Sequence, residues 1–347
     1  MRTVTAYLAT APNTPLRPTR ITRRDLRPDD VAVRVTHCGV CHTDLHALND
    51  PDGVFPLVPG HEFVGDVVEV GPAVRGFKVG DAVAVGNIVD SCGTCDMCRA
   101  QQENYCREFP TLTYGGRDRH DGTPTRGAYS DEYVVRERFA YHRPAHLDPA
   151  GVAPLLCAGI TVWEPLRRWD AGPGTRVGVV GLGGLGHLAV KLAAALGAEV
   201  TAFTTSPAKA ADATRLGAHR TVVSTDPAAM EAARASCDLV LDCVSAPHDL
   251  GPYLQVLALD GTLCSLGHLG PVTVETTALL VGRKSLASAG SGGHRYTQDL
   301  LDFAGRHGIT ADVEVVPSAQ VGTALRRLAH GDVRYRFTLD LSDLHRS

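Results

Sequence analysis

From residue 174 to residue 206 the chain switches between two hydrophobic rhythms. Val177, Val179 and Val180 form a short β-branched run, the pattern of a strand buried on both faces of a parallel sheet. Leu188, Leu192 and Leu196 then recur every four residues, which predicts a helix with one packed face, and Gly197 punctuates its end. "EVTAF", residues 199 to 203, reads as a second strand, and "DLVLDCVS" (238 to 245) and "GTLCSLG" (261 to 267) as later ones. Strands alternating with helices predict an α/β unit around a doubly wound parallel sheet. Before about residue 151 the apolar runs are shorter and broken by turn signals, so that half is expected to be built on a β-barrel. Near the end, "AQVGTALRRLAHG" predicts a helix and "YRFTLDL" a strand that return to the first half. The expected division is 1–151 with 295–347 as one domain and 152–294 as the other.

Composition narrows the function classes. The 347 residues suffice for about two domains, and 44% are hydrophobic, enough for a sizeable core. Lys plus Arg is 34 against 38 Asp plus Glu, a net charge of -4, which gives no reason to expect nucleic acid or an anionic membrane as partner. No stretch approaches the roughly 18 apolar residues of a membrane span, and the first twenty residues lack the apolar run of a secretory signal. A cytoplasmic protein is expected, and the reducing cytoplasm disfavours stable disulfides.

In that setting "SCGTCDMCRAQQENYC", residues 91 to 106, places Cys92, Cys95, Cys98 and Cys106 within one loop. Two-residue gaps let neighbouring thiolates face one centre, as a tetrahedral ion requires, and Gly93 permits the tight turn between them. An iron–sulfur cluster also takes four cysteines, but the proline that usually follows its bacterial run is missing. The spacing predicts a structural zinc site, with all four positions filled by protein and none left for substrate.

Cys41 in "CGVCHTDLH", His61 in "VPGHEFVGDVVEVG" and Cys157 in "APLLCAGITVWEPL" are candidates for a second metal site. Spacing alone does not join them. Cys157 also reads as a buried small side chain, His61 as a turn histidine, and Cys38 with Cys41 as a C-x-x-C redox pair. In the nucleotide half, Gly181, Gly183 and Gly186 match G-x-G-x-x-G between a strand and a helix: the first makes the turn, the second admits a pyrophosphate, the third lets helix pack on strand. The second strand ends in Thr204, Thr205 and Ser206, with Lys209 following. No carboxylate stands there to hold a ribose 2′-hydroxyl or repel a 2′-phosphate, so NADP(H) is expected. Ser206 before Pro207 also reads as a helix cap.

Taken in order, "CGVCHTDLH", "GHEFVGDVVEVG", the four-cysteine loop, "LLCAGITVWEPL" and "GLGGLG" resemble the zinc-dependent medium-chain alcohol dehydrogenases over nearly the whole chain. "TTS", "TQDLLDF" and "DVRYRFTLDL" are similar to the cinnamyl alcohol dehydrogenase-like NADP(H) aldehyde reductases. The resemblance implies a GroES-like catalytic domain beside a Rossmann domain. It implies two Zn2+ ions per chain: a catalytic one on Cys41, His61 and Cys157, with Glu62 either a transient ligand or a member of a buried ion pair, and a structural one on the loop. Thr43 is then the hydroxyl that meets the substrate oxygen, His46 the outer end of a proton relay, Asp44 the carboxylate behind the ligand histidine, and His42 a polar group near the pyrophosphate. Gly184 and Leu185 join Gly181, Gly183 and Gly186 in the cofactor loop.

The implied reaction is hydride transfer between NADP(H) and an alcohol–aldehyde pair, in a homodimer whose partner is a small-molecule substrate. A reductase of a specialised carbonyl or imine, or a silent NADP-binding relative, are the alternatives. Two stretches depart from the subgroup: "LGHLGPV", with His268 and Leu269, and "SAGSGG", with Gly290 and Ser291.

Overall fold

The computed structural model describes residues 1 to 346. It divides into two compact units, Met1–Cys157 together with the chain from Gly292 onward, and Ala158–Ser291.

In the first unit, a seven-stranded sheet runs in the order Val313–Pro317, Arg336–Asp340, Asp30–Val40, Phe63–Val70, Ala82–Val85 and Ala140–His142, with Glu132–Arg136 as a further partner of Asp30–Val40. The pairs are antiparallel except Val313–Pro317 with Arg336–Asp340. Asp30–Val40 is buried along most of its length because it has neighbours on every side. Its Val31, Val33 and Val35 pack with Phe63, Val83, Val85, Phe337 and Leu339 in one apolar cluster. Full burial of each such side chain contributes roughly 1.5–3 kcal/mol. Two small antiparallel pairs, Arg2–Leu8 with Arg17–Arg23 and Ile88–Asp90 with Thr111–Leu112, complete the β structure. The helix and strand expected near the end are Val321–Ala329 and Arg336–Asp340.

The second unit is a six-stranded parallel sheet in the order Arg220–Val223, Glu199–Thr204, Arg176–Val180, Cys237–Asp242, Leu257–Ser265, Ser285–Ser288. Counted within this unit, that order is 3-2-1-4-5-6, the doubly wound arrangement the alternating pattern predicts. The sequence direction of the sheet reverses between Arg176–Val180 and Cys237–Asp242. The helix Gly186–Ala195 buries Leu188 and Leu192 and is followed by Gly197 at φ +87°. Trp163, on Ala158–Arg168, is the largest fully buried side chain. Among the described residues no helix is long and apolar enough to cross a membrane.

Candidate metal and nucleotide sites

Register explains how residues 41 and 61 meet. Asp30–Val40 and Phe63–Val70 are antiparallel with Cys38 opposite Phe63, so the end of one strand lies beside the start of the other. Cys41 follows directly and caps the helix His42–Asn49. Cys157 arrives at the end of the turn Ala153–Leu156. The segment before it is pinned by Thr338 Oγ1 donating to the Ala150 carbonyl at 3.0 Å and by Ala311 N donating to that of Gly151 at 2.9 Å.

The Sγ atoms of Cys41 and Cys157 are 3.9 Å apart, and His61 Nε2 is 3.2 Å from Cys157 Sγ. A tetrahedral zinc with ordinary Zn–S and Zn–N lengths would set those separations near about 3.8 and 3.6 Å. The three donor atoms lie within 4.8 Å of one another, so the set fits zinc. Cys41 and His61 are buried and Cys157 is half-buried, which leaves one side of the cluster approachable.

Asp44 organises this cluster from behind. It is fully buried, and four donors converge on its carboxylate. Gly60 N and His61 Nδ1 lie 2.9 and 3.1 Å from Oδ1, and Cys41 N and Tyr129 OH lie 3.0 and 3.2 Å from Oδ2. With its Nδ1 proton held by Asp44, His61 turns Nε2 toward the two sulfurs, and a metal binding there displaces whatever proton Nε2 carries. Burial lowers the His61 pKa, but the charge of Asp44 outweighs it and holds the ring well above its usual range. The hydrogen bond from Cys157 drives the Cys41 thiol well below the usual thiol range and Cys157 correspondingly up, so one thiolate is already favoured before metal arrives.

Glu62 points elsewhere. Its Oε1 accepts from Arg336 Nη2, and the two side chains are 0% and 4% exposed. Burial pushes the Glu62 carboxyl up to about 8 against the pull of Arg336. A Cβ at Gly39 would strike this carboxylate, so only glycine fits there. Oε2 of Glu62 has no partner. Glu62 thus faces Arg336 in a buried pair, one of the two roles expected of it. From sequence, the segment containing Arg336 reads only as part of a strand. No local signal joins residues 274 positions apart. Tyr129 and Gly60, the other two partners of Asp44, were equally silent.

Thr43 and His46, and with them His42, are exposed on the helix His42–Asn49. Thr43 Oγ1 is 3.6 Å from Cys41 Sγ, and the His42 and His46 rings are 6.5 Å apart.

The sulfurs of Cys92, Cys95, Cys98 and Cys106 also lie within 4.8 Å of one another. Backbone N–H groups of Cys92, Cys95 and Cys98 point at the sulfurs of Cys106, Cys92 and Cys95 at 3.5, 3.3 and 3.5 Å. The bond from Cys95 N is the main cause that pulls the Cys92 thiol down to about 6. Such N–H donors stabilise thiolates, the form a metal binds. Gly93 takes φ +72° between the first two ligands. All ten cysteines are unbridged.

In the second unit, Gly181 has φ +84°, and a Cβ on Gly186 would collide with the Gly181 carbonyl, so both positions demand glycine. A Cβ on Gly183 would meet nothing within 4 Å, so the turn is open at that position. Gly184 and Leu185 complete the loop ahead of the helix. Lys209 Nζ donates to the Leu182 carbonyl at 3.0 Å, which ties the ammonium to the glycine turn. Thr204 is buried, with Oγ1 accepting from Ser206 N at 3.2 Å, while Thr205 is exposed. Ser206 precedes the turn Pro207–Lys209 but its side chain makes no capping hydrogen bond.

Comparison with known proteins agrees with this geometry. Residues 27–145 match the alcohol dehydrogenase GroES-like domain and residues 184–306 the zinc-binding dehydrogenase domain. The chain is 46% identical over 350 residues to NADP-dependent alcohol dehydrogenase C 1 of Mycolicibacterium smegmatis, covering 99% of each. It superposes on a cinnamyl alcohol dehydrogenase of Sorghum bicolor with TM-score 0.94 at 44% identity, covering 98% of both chains. For the cinnamyl alcohol dehydrogenase of Helicobacter pylori complexed with NADP(H), the TM-score is 0.91 at 32% identity, again with 98% of both chains covered. With both metal clusters, the glycine turn and these likenesses in place, the chain belongs to the GroES-like, zinc-binding alcohol dehydrogenase family.

Proposed function

We propose that this protein is a zinc-dependent oxidoreductase that transfers a hydride between NADP(H) and a primary alcohol–aldehyde pair, chiefly as an aldehyde reductase. The observation that carries the reading is the convergence of Cys41, His61 and Cys157 around one point, with Asp44 fixing the imidazole. NADP(H) is favoured by the absence of a carboxylate at Thr204, Thr205 and Ser206 and by the NADP dependence of the mycobacterial relative.

Cys41, His61 and Cys157 would hold a zinc ion, which would supply Lewis acidity to the substrate oxygen. Asp44 keeps His61 in the tautomer that presents Nε2. Thr43, beside Cys41, gives its hydroxyl proton to the substrate oxygen in reduction and takes it back in oxidation. His46, exposed one turn further along the same helix, exchanges the relayed proton with solvent, and His42 takes the position that the resemblance assigns to a polar group near the cofactor pyrophosphate. The glycine turn orients the cofactor through backbone N–H groups and the start of the helix Gly186–Ala195. Thr205, Ser206 and Lys209 would hold the 2′-phosphate when the cofactor is bound. The four-cysteine site braces its loop and takes no part in the chemistry.

Reducing, cytoplasmic surroundings fit the unbridged thiols, and a homodimer is what the resemblance implies. Two measurements test the reading together: zinc content, expected at about two per chain from the two donor clusters, and loss of NADPH absorbance with a panel of aromatic and aliphatic aldehydes. A chain that binds both metals and NADPH yet reduces no aldehyde in the panel would sink it.

A further inference from the structure

The helix His294–His307 opens on a residue that cannot cap it. Its N-cap is Gly293, which has no side chain to offer the free N–H groups of the first turn. Gly292 and Gly293 are both buried, so the helix start is turned away from water. His294 N donates instead to Oε2 of Glu103 at 2.8 Å, across 191 positions of sequence. The cap is imported from the four-cysteine loop, and as a carboxylate it also meets the positive end of the helix dipole.

Glu103 is built into that loop. It is 1% exposed. Its Oε1 accepts from Arg138 Nε and Nη2 at 3.1 and 2.5 Å, so both carboxylate oxygens are engaged. The residue opens the short turn Glu103–Tyr105, between the third and fourth cysteines. Gln101 N donates to the Cys98 carbonyl at 3.1 Å and Cys106 N to that of Glu103 at 3.0 Å, which ties this stretch to a cysteine on either side. The loop backbone also presses on the helix start. A Cβ on Gly293 would lie 2.1 Å from the Gln101 carbonyl oxygen and 2.7 Å from Glu103 Oε2. Gly293 has φ -75°, which any residue adopts, so close approach and not conformation demands glycine there.

The contact falls at a particular place in the chain. The Ala158–Ser291 unit ends just before Gly292, and Ser291 takes φ +58°, a left-handed conformation uncommon for a residue with a side chain. The four-cysteine loop therefore grips the first residues of the chain as it re-enters the metal unit. His294 Nδ1 also donates to the Arg138 carbonyl at 2.7 Å, and Gln298 exchanges two hydrogen bonds with the His142 backbone at 3.0 and 3.2 Å. Those contacts bypass the cysteine loop. The bond to Glu103 does not.

We propose that Glu103 is a positioning residue that couples metal binding at the four-cysteine loop to the start of the helix His294–His307. The proposal rests on the metal reading of that loop. When Cys98 and Cys106 share an ion, the turn between them is closed at both ends and the carboxylate stands at His294 N. Without the ion that closure is lost and the cap moves with the turn. By linkage, whatever the metal adds to the helix start, the helix start returns to the metal.

The test is hydrogen exchange of the zinc-loaded full chain, read by mass spectrometry on a peptide spanning 292–299, beside zinc release to a chromogenic chelator. Loss of a helix cap corresponds to a rise of about two- to thirtyfold in local opening. Glu103→Ala should raise exchange at 292–299 by such a factor and leave the buried middle of the same helix, around Leu300, Leu301 and Ala304, at wild-type protection. It should also speed the release phase of the four-cysteine site, identified as the phase missing in Cys98→Ser, and leave the other phase unchanged. Unchanged exchange at the helix start, a uniform rise along the whole helix, or unchanged release from the four-cysteine site in the folded variant each overturns the proposal. If Glu103→Ala does not fold, the wild type decides. Stripping its four-cysteine zinc should raise exchange of the same peptide, and unchanged exchange overturns the coupling. A wild type in which the four cysteines hold no zinc would instead remove the metal reading.

Discussion

Replacing Asp44 by Asn tests the metal site through a residue that touches no metal. The carboxylate takes two donors on each oxygen: Gly60 N and His61 Nδ1 on Oδ1, Cys41 N and Tyr129 OH on Oδ2. An amide has one accepting oxygen. If it faces Gly60 and His61, the imidazole keeps its tautomer, Tyr129 can rotate its hydroxyl to accept, and Cys41 N is left facing an NH2 group. A buried donor without a partner costs about 1–3 kcal/mol. If the amide turns the other way, Gly60 N is orphaned, and His61 must expel its Nδ1 proton to Nε2, which removes the lone pair from the two sulfurs. Either orientation weakens the zinc site by about 10- to 100-fold, or roughly 1.4–2.8 kcal/mol, the usual effect of removing such a partner. The four-cysteine cluster is an internal control, because Asp44 contacts none of its residues in this hydrogen-bond set. Zinc release to a chromogenic chelator should accelerate in one of two phases and leave the other unchanged, with activity lost in step with the fast phase. Release kinetics identical to wild type, in a folded variant, would refute the role assigned to Asp44.

Three further outcomes follow from the same geometry. Arg336→Met leaves Glu62 buried without its partner and should destabilise the protein by about 3–5 kcal/mol in denaturant titration; adding Glu62→Gln should recover most of it, and a double variant no better than the single would contradict a direct pair. Thr205→Asp should weaken NADPH binding far more than NADH binding in fluorescence titrations, and equal losses would overturn the 2′-phosphate assignment. Cys157→Ser should abolish turnover with the thermal melt largely kept, whereas Cys98→Ser should lower the melt first and activity only with it; near-normal rates for Cys157→Ser would mean the catalytic cluster is misassigned.

How much of this was legible in the sequence depended on separation along the chain. The four-cysteine site could be read directly, since its ligands fall within fifteen positions and loop closure alone brings them together. The nucleotide half was legible because its strand Arg176–Val180 carries a buried valine run and its glycines sit between strand and helix. Cys41, His61 and Cys157 required resemblance, because the pairing of Cys38 with Phe63 that joins two of them is a property of the sheet and not of spacing. Arg336 lay beyond any such reading: its segment is recognisable as a strand, but which carboxylate it meets is decided by which strand it pairs with.

The pairing of Arg336–Asp340 with Asp30–Val40 also sets a schedule for biosynthesis. A nascent chain exposes Glu62 and the neighbouring ligands early, yet the guanidinium that neutralises this carboxylate leaves the ribosome some 274 residues later. Meanwhile the entire Ala158–Ser291 unit, compact in its own contacts, emerges, while the segment around Glu62 waits with an unmatched acidic group. Translation that halts before the last strand would therefore yield an intact dinucleotide half joined to an unfinished metal half, a product that chaperones and proteases would meet as one folded and one open domain.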